Sequence, residues 1–164
     1  MGSGKSTVGR LAAEQLRFDF VDTDQLIESR TGVSVSDIFA RHGEPVFRQF
    51  ERNVVTELES MRNLVISTGG GLVLNPANVE SLKSHALVIC LWASPEDIWE
   101  RVRGHNHRPL LLTEDPQGKI RELLAAREPF YKQADVLIHT GARSVSEVLQ
   151  QVLHQFEISR HRAP

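Results

Sequence analysis

Residues able to do chemistry appear at the very start of the chain. Within Met1-Gly2-Ser3-Gly4-Lys5-Ser6-Thr7, the residues Gly4, Lys5 and Ser6 fill the closing positions of the phosphate-binding pattern Gly-x-x-x-x-Gly-Lys-Ser/Thr. In such a loop, small residues let backbone N–H groups approach and cradle phosphate oxygens. The lysine adds a point charge for the β- and γ-phosphates, and the Ser6 hydroxyl suits Mg²⁺. A helix is expected at once, because Val8, Leu11, Ala12 and Leu16 recur at helical spacing. Its N-terminus would aim positive dipole at the phosphates. A chance Gly/Ser/Lys opening, as in a linker, is the plain alternative, and the helix that follows weighs against it. The first glycine of the pattern and the strand that feeds the loop would lie before Met1. The expectation is therefore a natural start further upstream, with Met1 an internal methionine of the loop.

Four further constellations carry chemistry. Asp22 and Asp24 flank Thr23 at an expected strand end, where residues two apart point the same way. Beside a Mg²⁺–phosphate site, one carboxylate can hold metal-bound water and the other can accept the proton of a substrate hydroxyl; capping of the helix that follows is the competing role. Arg48 and Glu51 lie one helical turn apart, so the carboxylate can fix the guanidinium and aim its fork at a substrate carboxylate. A surface ion pair is the alternative. Gly69-Gly70-Gly71 marks a sharp turn or a close backbone approach, with N–H groups able to serve as donors to an anion; a simple hinge is the other reading. Arg101, Arg103, Arg108 and Arg127, with Pro109, form a basic set in and around an irregular stretch. An arginine on a closing lid can stabilise charge on a transferring phosphoryl group. His105 and His107 lack a matching ligand cluster and are not read as a metal site.

These residues need elements to hold them. Strands are expected near 18–22, 64–68, 86–92 and 135–140. Helices are expected over Gln25–Arg30, Val35–Arg41, Glu44–Met61, Pro76–Lys83, from Ser94 as N-cap, over Pro116–Tyr131 and over Ser144–Phe156, with a frayed tail from Ser159. Gly43 separates the second and third of these helices. Strands alternating with helices imply an α/β fold with a parallel sheet, helices on both faces and ligands at the carboxyl ends of the strands. The loop at Gly4–Ser6, Asp22–Asp24 and Gly69–Gly71 would all meet at that rim. A length of 164 residues, 40% hydrophobic content and 24% charged content fit one globular domain, taken as 1–164. A net charge of −2 points to no bulk nucleic-acid or membrane-surface binding. No apolar run reaches membrane-spanning length and no signal-peptide pattern opens the chain, so a cytoplasmic protein is expected. Cys90, the single cysteine, lies in the run Ala86–Trp92 and is expected to be a buried structural thiol.

Taken together, the pieces resemble the shikimate kinase family over essentially the whole chain. The matching stretches are Gly2-Ser3-Gly4-Lys5-Ser6-Thr7, Asp22-Thr23-Asp24, Arg30-Thr31-Gly32, Ile38-Phe39 with Gly43-Glu44, and Phe47-Arg48 with Glu51. Gly69-Gly70-Gly71, Arg108-Pro109-Leu110, and Arg127 with Pro129 and Tyr131 complete them. The resemblance implies a P-loop, nucleoside-monophosphate-kinase-like fold whose first, central strand is not in this chain. It also implies transfer of the ATP γ-phosphate to the 3-hydroxyl of shikimate, a step towards chorismate and the aromatic amino acids. In that family's terms Lys5, Asp24 and Arg108 are catalytic. Gly2, Ser3, Gly4, Lys5, Ser6, Thr7, Arg101, Arg108 and Arg143 bind ATP, with Arg101 and Arg143 beside the adenine. Asp24, Arg48, Gly69, Gly70, Gly71 and Arg127 bind shikimate. Ser6 and Asp22 serve Mg²⁺, and the lid covers roughly 103–113. A monomer with ATP and shikimate as its partners is expected. Two rivals stand beside this: a kinase for another small polyol such as gluconate, and a non-catalytic, kinase-derived binding module.

Overall fold

Short aliphatic runs become strands and amphipathic stretches become helices. The computed structural model describes residues 2–103 and 113–162. The chain divides into two compact units, Lys5–Leu87 and Met1–Gly4 with Val88–Pro164.

The first unit runs α1 (Lys5–Leu16), β1 (Asp19–Asp22), α2 (Thr23–Thr31), α3 (Val35–Leu58), β2 (Leu64–Ser67), a 3-10 turn at Leu72–Leu74, and α4 (Pro76–His85). β1 and β2 pair in parallel, with Asp22 level with Ser67 at their carboxyl ends. The pleat sends alternate side chains to opposite faces. Phe20 and Val65 lie against α1 at Gly9. Val21, Leu64 and Ile66 pack on the other face against Ile27, Ile38, Phe47, Val54 and Leu58 from α2 and α3. Helices thus cover both faces of this pair, as the alternation of elements predicted. Leu58 is only 1% exposed, and truncating a side chain so buried costs about 2–5 kcal/mol. The α1 stripe is shifted from expectation: Val8, Ala12 and Ala13 are buried, whereas Leu11 is exposed.

Gly43 does break the long helical run. Val35–Leu58 is two helices meeting at a kink, where Gly43 sits at φ 79°, ψ 171°. That backbone region is essentially closed to residues with a Cβ. The break re-aims the chain and lets Glu44-Pro45 open a second helical segment, with Pro in a first-turn position that suits its fixed φ. The segment ends at Leu58 rather than Met61, so Met61 drops out of the apolar stripe and is 41% exposed.

In the second unit, β3 (Ile89–Trp92), α5 (Pro95–Val102), α6 (Pro116–Tyr131), β4 (Val136–His139) and α7 (Val145–Arg162) follow in order. β3 and β4 are again parallel. Ala93, Ile98, Val102 and Ile120 form the core, with Trp99 and Leu124 against it. Ser94 caps α5 in a reciprocal box with Asp97, satisfying backbone donors that a helix start leaves open. Several expected bounds contract. Ala86 closes α4 by donating its N–H to the Leu82 carbonyl, so β3 starts only at Ile89. Cys90 is half-buried rather than fully buried. The tail expected to fray is helical through Arg162.

Gly43→Ala tests the break. An added Cβ would meet Pro45 Cδ at 3.6 Å, an ordinary contact, so the penalty is backbone strain alone. We expect a loss of about 1–3 kcal/mol in urea unfolding, and an unchanged midpoint would show that the kink relaxes freely.

Candidate active site

Three turns of the first unit bring their polar groups together at the carboxyl ends of β1 and β2. Ser6, in the first turn of α1, donates its hydroxyl to Asp22 Oδ2 at 2.9 Å. Its Oγ also lies 3.2 Å from Ser67 Oγ, because register places Ser67 beside Asp22. The other carboxylate oxygen, Asp22 Oδ1, accepts the N–H of Asp24 at 3.2 Å and of Gln25 at 3.5 Å. Asp22 therefore caps α2 with one oxygen and meets the Ser6 hydroxyl with the other. An all-oxygen serine–aspartate pair is a hard-cation donor set of the kind Mg²⁺ uses alongside phosphates. Among the described residues no group of three or more His, Cys, Asp or Glu could hold a metal by itself.

Asp24 lies in the first turn of α2, not in an extended strand end as the pattern suggested. The cap at Asp22 starts the helix at Thr23, earlier than the expected Gln25. Asp24 Oδ1 is buried and has no hydrogen-bond partner among the described residues. Burial, then the Asp22 charge, push its carboxyl above the ordinary carboxylate range, with Lys5 and Arg48 pulling the other way. A carboxylate raised in this manner is a better proton acceptor than a solvated one.

Gly69 and Gly71 are sites of close approach. A Cβ on Gly69 would sit 2.5 Å from Asp24 Oδ1, and one on Gly71 would sit 2.5 Å from both Arg48 Nη atoms. The Gly69 N–H is already committed to Thr23 Oγ1 at 3.1 Å. Gly69, carrying no side chain, gives room to Asp24. Thr23, fully buried, ties the two turns together.

Arg48 is held from two sides. Its Nη1 donates to Glu51 Oε2 at 2.7 Å, while Nε and Nη2 both donate to Glu44 Oε1 at 3.0 and 2.6 Å. The Glu51 side chain is 1% exposed and that of Glu44 is 58% exposed. Burial raises the Glu51 carboxyl, and Arg48 opposes that rise. The pairing of Arg48 with Glu51 is thus no surface ion pair. Three contributors had no role in the sequence pattern. In the sequence Ser67 reads only as part of a strand, Thr23 as a spacer and Glu44 as a helix start, although Glu44 stands at the i−4 position from Arg48, a readable pairing signal.

Most of the remaining expected residues belong to the second unit. Ahead of α1, Gly2 and Gly4 have positive φ of 67° and 88°, and Ser3 is buried. Thr7 is exposed in α1. Arg101 donates to Thr140 Oγ1 at 3.0 Å, to the Thr140 carbonyl at 2.6 Å and to the Gly2 carbonyl at 3.4 Å. Arg143 is exposed and donates to Gln151 Oε1. Arg103 pairs with Glu100 at 2.9 Å. Arg127, half-buried, lines a small cavity with Ile98, Ile120, Leu124 and Tyr131. Arg108, Pro109, His105 and His107, with all of the expected lid except its ends Arg103 and Thr113, lie outside the described residues.

Comparison with known proteins finds relatives that match nearly the whole chain. A family model described as Shikimate kinase matches residues 1–157. A shikimate kinase from Caldanaerobacter subterraneus subsp. tengcongensis is 45% identical over 156 residues, covering 95% of this chain and 91% of that protein. A solved shikimate kinase from Acinetobacter baumannii, in complex with shikimate, superposes with a TM-score of 0.90 at 38% identity, covering 99% of this chain and 91% of that one. A gluconokinase from Sinorhizobium meliloti reaches a TM-score of 0.54 at 16% identity, covering 94% and 85%. That likeness shows a shared fold alone.

Asp24 generates a stability prediction with a definite sign. Its proton is held more tightly in the folded than in the unfolded state, so its contribution is favourable at pH below the ordinary carboxylate range. That contribution is lost as pH rises through the raised folded pKa. At pH 7 the charge is a net cost, and Asp24→Asn should melt at a higher temperature than the parent. The gap should narrow as pH falls into the carboxylate range. Equal melting temperatures at pH 7 would show that Asp24 is not held above its ordinary pKa.

Proposed function

The chain belongs to the shikimate kinase family and has that family's ATP-dependent kinase activity, and we propose here which residues carry it and how. The observation that weighs most is the Asp24 carboxyl, raised by burial, unpartnered at Oδ1, and set between the charges of Lys5 and Arg48. In the proposed reaction Asp24 accepts the proton of the shikimate 3-hydroxyl as that oxygen attacks the γ-phosphorus. The bond to the β-phosphate oxygen breaks and ADP leaves. Lys5 and the loop Gly2–Thr7 hold the phosphates, the lysine countering charge on the β/γ oxygens.

Arg48 clamps the shikimate carboxylate, because a guanidinium fixed by Glu51 loses little freedom on binding. Gly69, Gly70 and Gly71 admit the ring by carrying no side chains. On the strength of the family resemblance, Arg127 is assigned to the same carboxylate, Arg101 and Arg143 to the adenine, and Arg108 to the phosphates as a lid residue. Mg²⁺ fits the Ser6–Asp22 oxygen pair and, when bound, neutralises charge on the β- and γ-phosphates. The reading takes residues 1–164 as one kinase domain, monomeric and cytoplasmic; no described helix is long and apolar enough to cross a membrane.

Two substitutions test the roles. Asp24→Asn keeps size and removes the base, so kcat should fall by roughly 10²-fold or more while ATP affinity holds. Near-normal turnover would confine Asp24 to a minor part. Arg127→Ala should raise the shikimate KM by about 10- to 100-fold, the value of a lost charge-assisted pair, and leave ATP binding in the absence of shikimate little changed. Assays with shikimate, gluconate and nucleoside monophosphates as acceptors should give turnover with shikimate alone; comparable turnover of gluconate would overturn the substrate assignment.

A further inference from the structure

We infer that Glu44 is an internal stand-in for the substrate carboxylate, occupying the binding edge of Arg48 and leaving it when shikimate arrives. The inference rests on the reading of Arg48 as the carboxylate clamp. A guanidinium offers flat, paired N–H edges that match a carboxylate. On Arg48 the Nε/Nη2 edge faces Glu44, with both nitrogens donating to the single oxygen Oε1 at 3.0 and 2.6 Å. The Nη1 end is held by Glu51 at 2.7 Å. Gly71 lies directly against Nη1 and Nη2.

The two glutamates are not equivalent. Glu51 is 1% exposed and cannot leave without stranding a buried charge, whereas Glu44 is 58% exposed and can return to water at little cost. Glu44 also follows Gly43, whose φ of 79° and ψ of 171° interrupt the helix, so its attachment lies at a break rather than in a continuous cylinder. A substrate carboxylate and the Glu44 carboxylate are the same chemical group, and the Nε/Nη2 edge can be paired with only one of them at a time. Before substrate binds, Glu44 keeps the edge neutralised and correctly turned. During binding it competes.

A supporting role alone and a competing role predict opposite signs. Shikimate binding should be titrated by calorimetry on the full chain for the parent, Glu44→Gln, Glu44→Ala and Arg48→Ala, with the shikimate KM measured alongside. Competition predicts that both Glu44 variants bind shikimate about two- to fivefold more tightly, the value of one exposed ion pair. Binding of shikimate methyl ester, which lacks the anion, should not tighten. Melting curves confirm folding, since Glu44 also places an acid in the first turn after the break, and two variants guard against a local defect in one. Glu44 variants that bind shikimate equally or more weakly, while Arg48→Ala weakens it, overturn the stand-in and leave the clamp. An Arg48→Ala protein with unchanged shikimate affinity overturns the clamp itself.

Discussion

A carboxylate with no exposure to water, Glu51, sets the terms for the first unit. Burying such a group unpaired would cost more than the fold could bear, so a partner charge must stay beside it. Arg48 is that partner, at 2.7 Å. Its position then dictates what stands opposite: at position 71 any side chain would collide with the guanidinium. The turn that carries Gly71 continues into the 3-10 segment whose Leu72 is buried at 1% exposure. One buried charge thereby fixes a cation, a backbone turn and a piece of core.

Around that constraint the acidic groups of the unit are kept in different states. Asp22 spends both oxygens on hydrogen bonds, from Ser6 on one side and from the start of α2 on the other. Asp24, two residues on, is left with a buried unsatisfied oxygen and a raised carboxyl. Two carboxylates so close in sequence thus stand in very different surroundings, one hydrogen-bonded through both oxygens and the other not. The protein accepts a local instability at Asp24 that a purely structural design would remove.

Much of this was legible in the chain because the signals were local. The Gly/Ser/Lys loop leads into α1, Asp22 ends β1, Gly43 breaks the helical run, and Ser94 caps α5, each through chemistry confined to a few residues. What was not legible depended on contacts far apart in sequence. Ser67 acquires its place only through register with Asp22 across paired strands. The Gly69 N–H is taken by Thr23, 46 residues away, and no local pattern announces that. The sequence around Asp24 reads as an extended segment because a strand end and a helix start look alike until the capping residue is known. Cys90 and Met61 are more exposed than their apolar neighbourhoods implied, since an apolar run fixes the element but not the depth at which it sits.

The doubled use of Asp22 has a consequence for how substitutions at this position would be interpreted. Its two oxygens answer to different demands, so almost any replacement fails twice, once at the helix start and once at the P-loop hydroxyl. Asparagine can keep one acceptor for the cap but turns an amide towards Ser6, and glutamate moves both oxygens outward by a methylene. In a deep mutational scan the position would score as intolerant on abundance and on activity alike. The usual sorting of residues into structural and functional would then assign it to whichever assay was run first.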